Sequence, residues 1–189
     1  MYSSVAFGDV TNNIERQIAA LKNPPAPSSI AYVIQDNSIE ERLFDAAAAA
    51  KILTSQVAMH LESEWRQKLF RQLDSLHDPE EWESGDLPLQ QSSFATFLKA
   101  ICQIKPKRRP GLGLSGGGHL IAAWITKRDR LTIEFLPSDG VRWVLSQHHA
   151  DEVERFAGQT KVARLLESLA PYQPEFWFSY EKGTGERSP

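Results

Sequence analysis

Residues 111–146 read GLGLSGGGHLIAAWITKRDRLTIEFLPSDGVRWVLS, and within them the apolar side chains recur at every second position. That spacing is the signature of strands with one buried face. Four runs stand out, LGLS, HLIAAWIT, RLTIEFL and VRWVLS, each rich in branched and aromatic residues. The connectors suit hairpins: Gly116-Gly117-Gly118 tolerates positive φ, Lys127-Arg128-Asp129 is a polar tip, and Ser138-Asp139-Gly140 fits a type I turn with a glycine bulge. The prediction is an antiparallel meander. A three-residue last loop at 138–140 sets Phe135 opposite Trp143 and Ile133 opposite Leu145, and a slip by one residue would expose all four. Thr132, Glu134, Leu136, Arg142 and Val144 then share the opposite face.

Downstream, a fifth strand is expected over about residues 152–157. Gly158-Gln159-Thr160 is then expected to cap a helix that turns Val162, Leu165, Leu166 and Leu169 onto the sheet. Phe176-Trp177-Phe178 closes an edge or docks on the core, and residues 181–189 read as a frayed polar tail.

Upstream the period changes to helical. Residues 92–104 carry Phe94, Phe97, Leu98 and Ile101 on one face, ended by IKPKRRPG with its two prolines and four cations. Between 39 and 76, Ile39, Leu43, Ala46, Ala50, Leu53, Val57, Leu61, Trp65, Leu69, Leu73 and Leu76 repeat at intervals of three and four. A single rod of that span would be about 60 Å long, twice a small domain's width, so a break near residues 60–63 or a protruding hairpin is expected. The alanine run at 46–50 leaves room for a second helix, with the one at 12–23 as the nearest candidate and a second copy of the chain as its rival. Residues 77–91 read as a solvated acidic loop with Trp82 packed down. A short amphipathic helix at 12–23, the stiff NPPAP connector and a brief strand at 30–34 complete the chain. The fold class expected is therefore α+β, with a helical N-terminal half followed by a four- to five-stranded antiparallel meander packed against a C-terminal helix. Its segments are residues 1–35, 36–104, 105–180 and 181–189.

Composition narrows the function classes. The 189 residues hold 21 basic and 24 acidic side chains for a net charge of −3, which fits neither a strongly basic nucleic-acid binder nor a polyacidic tail. The single cysteine, Cys102, forms no intramolecular disulfide or thiolate zinc pair, and the N-terminus lacks the basic and apolar regions of an export signal. No membrane span is encoded, and a cytoplasmic location is expected.

The glycine-rich stretch attracts several motif readings, and most fail on chemistry. Residues 113–118 have the GxxxxG spacing of a phosphate loop, but His119 and Leu120 stand where Lys and Ser/Thr belong. Gly111, Gly113 and Gly116 fit GxGxxG, yet no strand precedes them and no helix follows. No kinase catalytic motif accompanies them. The pattern Gly113-Leu114-Ser115-Gly116-Gly117 matches GxSxG, with Ser115 as nucleophile and His119, His148 or His149 as base, but a nucleophile elbow needs a following helix. The plain reading is a glycine hairpin. His148-His149 with Asp151 and Glu152 lacks a metal-ligand spacing, and neither metal nor cofactor is implied. Glu134 beside Arg142 reads as a cross-strand ion pair.

The function expected from these residues is binding without catalysis. The favoured reading is an intracellular module that recognises a protein partner, or itself, through the helical half and a surface of Trp82, Trp124, Glu134 and Arg142. An adaptor or a neutralising, antitoxin- or immunity-like protein of a microbial two-component system is its concrete form. A small serine hydrolase using Ser115 and His119 is the second reading. The third is a single-stranded nucleic-acid binder. It would stack bases on Trp124, exposed beside Arg142, between the cations Lys105, Lys107, Arg108 and Arg109 and those at Lys127, Arg128 and Arg130. Trp124 falls on either face according to the first hairpin's register; in the core it would bind nothing.

Overall fold

A computed structural model describes residues 38–82, 85–149 and 152–179; the expected helix at 12–23, the NPPAP connector, the strand at 30–34 and the polar tail lie outside them. The arrangement is α+β, as expected: helices, then a five-stranded antiparallel sheet, then short C-terminal helices.

The long helical period folds back on itself. α1 (Ile39–Gln56) and α2 (Ser63–Leu76) are separated by the 3-10 turn Ala58–His60, and the two helices pack together. Ser38 caps α1 by accepting from the Glu41 amide at 3.3 Å, with Glu40 and Glu41 in the first turn where the helix dipole favours acids. Leu43, Ala47 and Ala50 are buried along α1, and Trp65, Leu69 and Leu73 along α2. The alanine run admits α3 (Gln91–Ile104), which packs against α1 and is also the helix seated on the sheet. Phe94, Phe97, Leu98 and Ile101 of α3 are all buried.

The sheet runs in chain order, β1 (Gly111–Leu114), β2 (Leu120–Thr126), β3 (Asp129–Leu136), β4 (Gly140–His149) and β5 (Glu152–Lys161). Leu120, Ala122, Trp124, Leu131, Ile133, Phe135, Val141, Trp143 and Leu145 fill its inner face. The last hairpin turns on Pro137-Ser138-Asp139, so Phe135 lies opposite Val141 and Ile133 opposite Trp143. That register differs by two residues from the expected one, and a two-residue shift keeps every side chain on its face. Ser138 and Asp139 take the positive φ expected of a glycine there, at 58° and 61°.

β5 is longer than expected and replaces the predicted helix cap. Gly158 lies inside this strand opposite Trp143, whose Cζ2 would be only 2.6 Å from a Cβ at that position. The glycine makes room for an indole. The chain then turns through Val162–Arg164 into α4 (Leu165–Leu169), which buries Val162, Leu165 and Leu169 and leaves Leu166 exposed. α5 (Pro174–Phe178) docks Trp177 and Phe178 into the core.

Candidate functional site

The triple glycine is a hairpin end bolted to its neighbour. The Ser115 amide donates to the His119 carbonyl at 2.9 Å, the Gly118 amide to the Ser115 carbonyl at 2.8 Å, and the His119 amide to Ser115 Oγ at 3.1 Å. The turn's own carbonyls are taken by the preceding loop: Gly116 by the Leu87 amide, Gly118 by the Gln90 amide, and Gly117 by Gln90 Nε2 at 2.8 Å. Gly118 has φ +75°, and a Cβ on it would sit 2.3 Å from the Pro88 carbonyl oxygen. Close approach and handedness both demand glycine.

This geometry separates the two halves of the expected hydrolase pair. Ser115 Oγ accepts from a backbone amide, whereas the His119 ring turns to Glu134, with Nδ1 3.0 Å from Oε1. A carboxylate only accepts, so Nδ1 carries the proton. Arg142 Nε lies 3.6 Å from the other carboxylate oxygen. The row His119–Glu134–Arg142 is thus a cross-strand charge network on the outer face, with Glu134 opposite Arg142 in the register. β2 follows the serine where a nucleophile elbow would have a helix.

Trp124 corrects the expected binding surface. It is 1% exposed, its Nε1 donates to the Arg108 carbonyl at 3.0 Å, and its ring meets Phe178 edge-on at 5.0 Å. A buried indole stacks no base, so the nucleic-acid platform loses its centre. Arg108 reaches inward to Thr126 Oγ1, and Arg130 lies along the outer face with Nε 3.0 Å from Thr132 Oγ1. Lys127 and Arg128 remain exposed at the β2–β3 turn, and Lys105, Lys107 and Arg109 line a cleft beside α2. Trp82 is half-buried and stacks on His77 at 6.4 Å.

His148 and His149 fall at the end of β4 on opposite faces. The His148 amide donates to Asp129 Oδ1 at 2.8 Å, and His149 Nε2 lies 3.9 Å from Glu154. Among the described residues no group of three or more His, Cys, Asp or Glu side chains is placed to hold a metal ion, and no helix is long and apolar enough to cross a membrane.

The surface the residue reading missed lies on α1. Phe44 is 73% exposed, Ile52 60% and Met59, in the following turn, 86%. Phe44, Ala48 and Ile52 are spaced i, i+4, i+8, a second apolar stripe on a helix whose first stripe is buried. The spacing was legible but masked by the stronger core period. On the sheet's outer face Ile125 and Val144 are exposed as well. A scan against protein-family models and searches of curated proteins and of solved structures found no match to this chain.

Proposed function

We propose that the chain is a non-catalytic binding module that recognises a protein partner through its helical half. The observation that carries this reading is the solvent-facing stripe Phe44–Ile52–Met59. Large apolar side chains left in water along one helix and the turn after it are a standing cost that a partner surface removes. The chemistry at Ser115 supports the non-catalytic part: its hydroxyl and the neighbouring imidazole are committed to different partners. An adaptor or a neutralising protein in a microbial two-component system is the concrete form we favour, acting in the cytoplasm.

The test compares the native chain with Phe44→Asp/Ile52→Asp, both exposed positions whose change leaves the core intact. Light scattering of the purified proteins reads self-association, and affinity capture from the source cell with mass spectrometry reads a partner. Loss of a specific association in the double variant is expected; an association that survives it unchanged rejects the stripe as the interface.

A further inference from the structure

The two apolar surfaces left in water carry opposite charge. On α1, Glu41 stands three residues before Phe44 and Asp45 seven before Ile52, so both carboxylates share the helix face of the exposed stripe. Both side chains are exposed, and neither makes an ion pair among the described residues. Lys51 is already taken by Asp74, and Arg42, two residues from Phe44, turns to another flank of the helix.

The outer face of the sheet is the counterpart. Arg130 of β3 lies opposite Ser146 of β4, and Ser146 opposite Arg155 of β5, which sets two guanidinium groups on one row across three strands. Ile125 is opposite Arg130, Val144 and Val153 fall in the adjoining rows, and all three are exposed. Arg130 and Arg155 are exposed too and make no ion pair among the described residues; Arg130 reaches only Thr132 Oγ1. The nearby acids are held, Glu134 by His119 and Arg142 and Asp129 by the His148 amide. Lys127 and Arg128 at the β2–β3 turn add charge of the same sign.

One copy cannot bring these faces together. α3 sits on the inner face of the sheet and α1 packs on α3, whereas the arginine row is on the far side of the strands. With the stripe as an interface, the reading proposed above, we infer that the outer sheet face receives α1 of a second copy of this chain. Arg130 and Arg155 meet Glu41 and Asp45, and Ile125, Val144 and Val153 cover Phe44 and Ile52. Nucleic acid fits this face less well. A phosphate backbone would pair with the arginines and leave the aliphatic side chains in water, and among the described residues no aromatic ring is exposed here to stack a base. The contact is heterologous, so each added copy presents a fresh face of each kind and assembly continues past a dimer. A single helix laid on a sheet is a small interface; association is expected only towards millimolar concentration and weakens with salt.

Sedimentation velocity of the full chain at rising concentration and low salt reads the assembly. The native chain is expected to form species larger than a dimer, and Arg130→Glu/Arg155→Glu and Phe44→Asp/Ile52→Asp each to stay monomeric. All four positions are exposed, so both variants keep the core. Mixed, they supply one intact face each, and the expected product is an equimolar dimer that grows no further. A native chain that stays monomeric, or a mixture that does not associate, overturns the inference; the stripe then serves a foreign partner, which the affinity capture reads. Native-like association of Arg130→Glu/Arg155→Glu overturns it in favour of a symmetric contact between α1 helices. Unchanged association of Phe44→Asp/Ile52→Asp rejects the stripe itself.

Discussion

His77 carries the clearest single-residue consequence. It is 6% exposed, Nδ1 lies 2.7 Å from the Leu73 carbonyl, and Nε2 is buried without a partner. A carbonyl only accepts, so Nδ1 bears a proton. Burial pushes its pKa below the ordinary value of 6.5, against smaller upward pulls from the Leu73 bond and Asp74. The folded state thus holds this proton less tightly than the unfolded chain, and stability present at neutral pH is lost as pH falls through 6.5. His77→Phe keeps the ring against Trp82 and removes the titration. The melting-temperature difference between native and variant should therefore drift in the variant's favour between about pH 7.5 and pH 5.5; parallel curves would refute the linkage. Nothing in the residues around His77 announces this. The residues after it are acidic, so the segment reads as solvated loop with Trp82 packed down, and that spacing does not say that the indole stacks on His77.

At the scale of elements, two hydroxyls of α3 tie it to the sheet: Thr96 Oγ1 donates to the Leu136 carbonyl at 2.8 Å, and Ser93 makes two bonds. Ser93 Oγ donates to the Phe135 carbonyl at 2.6 Å and accepts from the Leu120 amide at 2.8 Å, which joins the helix to β3 and β2 inside the core. Ser93→Ala leaves a buried acceptor and a buried donor unmet and should cost about 2 kcal/mol or more in urea unfolding. Ser92→Ala, one residue away on the exposed side, should stay within about 0.5 kcal/mol. Equal losses would mean that the two serine hydroxyls play the same part. The helix itself was plain from the spacing of Phe94, Phe97, Leu98 and Ile101, because one apolar face has one solution. The sequence sets a break near residues 60–63 against a protruding hairpin, and the chain leaves the helix at Gln56 and re-enters it at Ser63. Val57, Leu61 and Trp65 keep the four-residue spacing across it, and a period does not record whether its two halves face a common neighbour or each other. Gly158 misled for a related reason: beside Thr160 it looks like a cap, and its role appears only when Trp143 from the next strand lies over it.

For the whole molecule the decisive asymmetry is between the two faces of the sheet. Among the described residues, α3, the C-terminal turns and the aromatic cluster pack on the face that holds Trp124, Ile133 and Trp143. The opposite face carries Glu134, Arg142 and the exposed Ile125 and Val144. Strand alternation made this legible, but Trp124 could not be assigned until β2 was set against β3, where it falls opposite Leu131 and so inward. Two neighbours in β4 test the asymmetry directly. Trp143 is 4% exposed, donates from Nε1 to Ser168 Oγ at 3.1 Å and stacks near Tyr172 at 5.5 Å, so its side chain ties the sheet to the C-terminal helices. Trp143→Ala removes that contact and opens a cavity the rigid sheet does not fill, a loss of about 3–5 kcal/mol. Val144 points the other way and is 41% exposed, so Val144→Ala should change stability by no more than about 0.5 kcal/mol. Equilibrium urea unfolding of the two variants reads both values. Should Val144→Ala instead cost as much as Trp143→Ala in the isolated protein, the outer face would have to be covered in solution, and the open side of the sheet would join the α1 stripe as a contact surface.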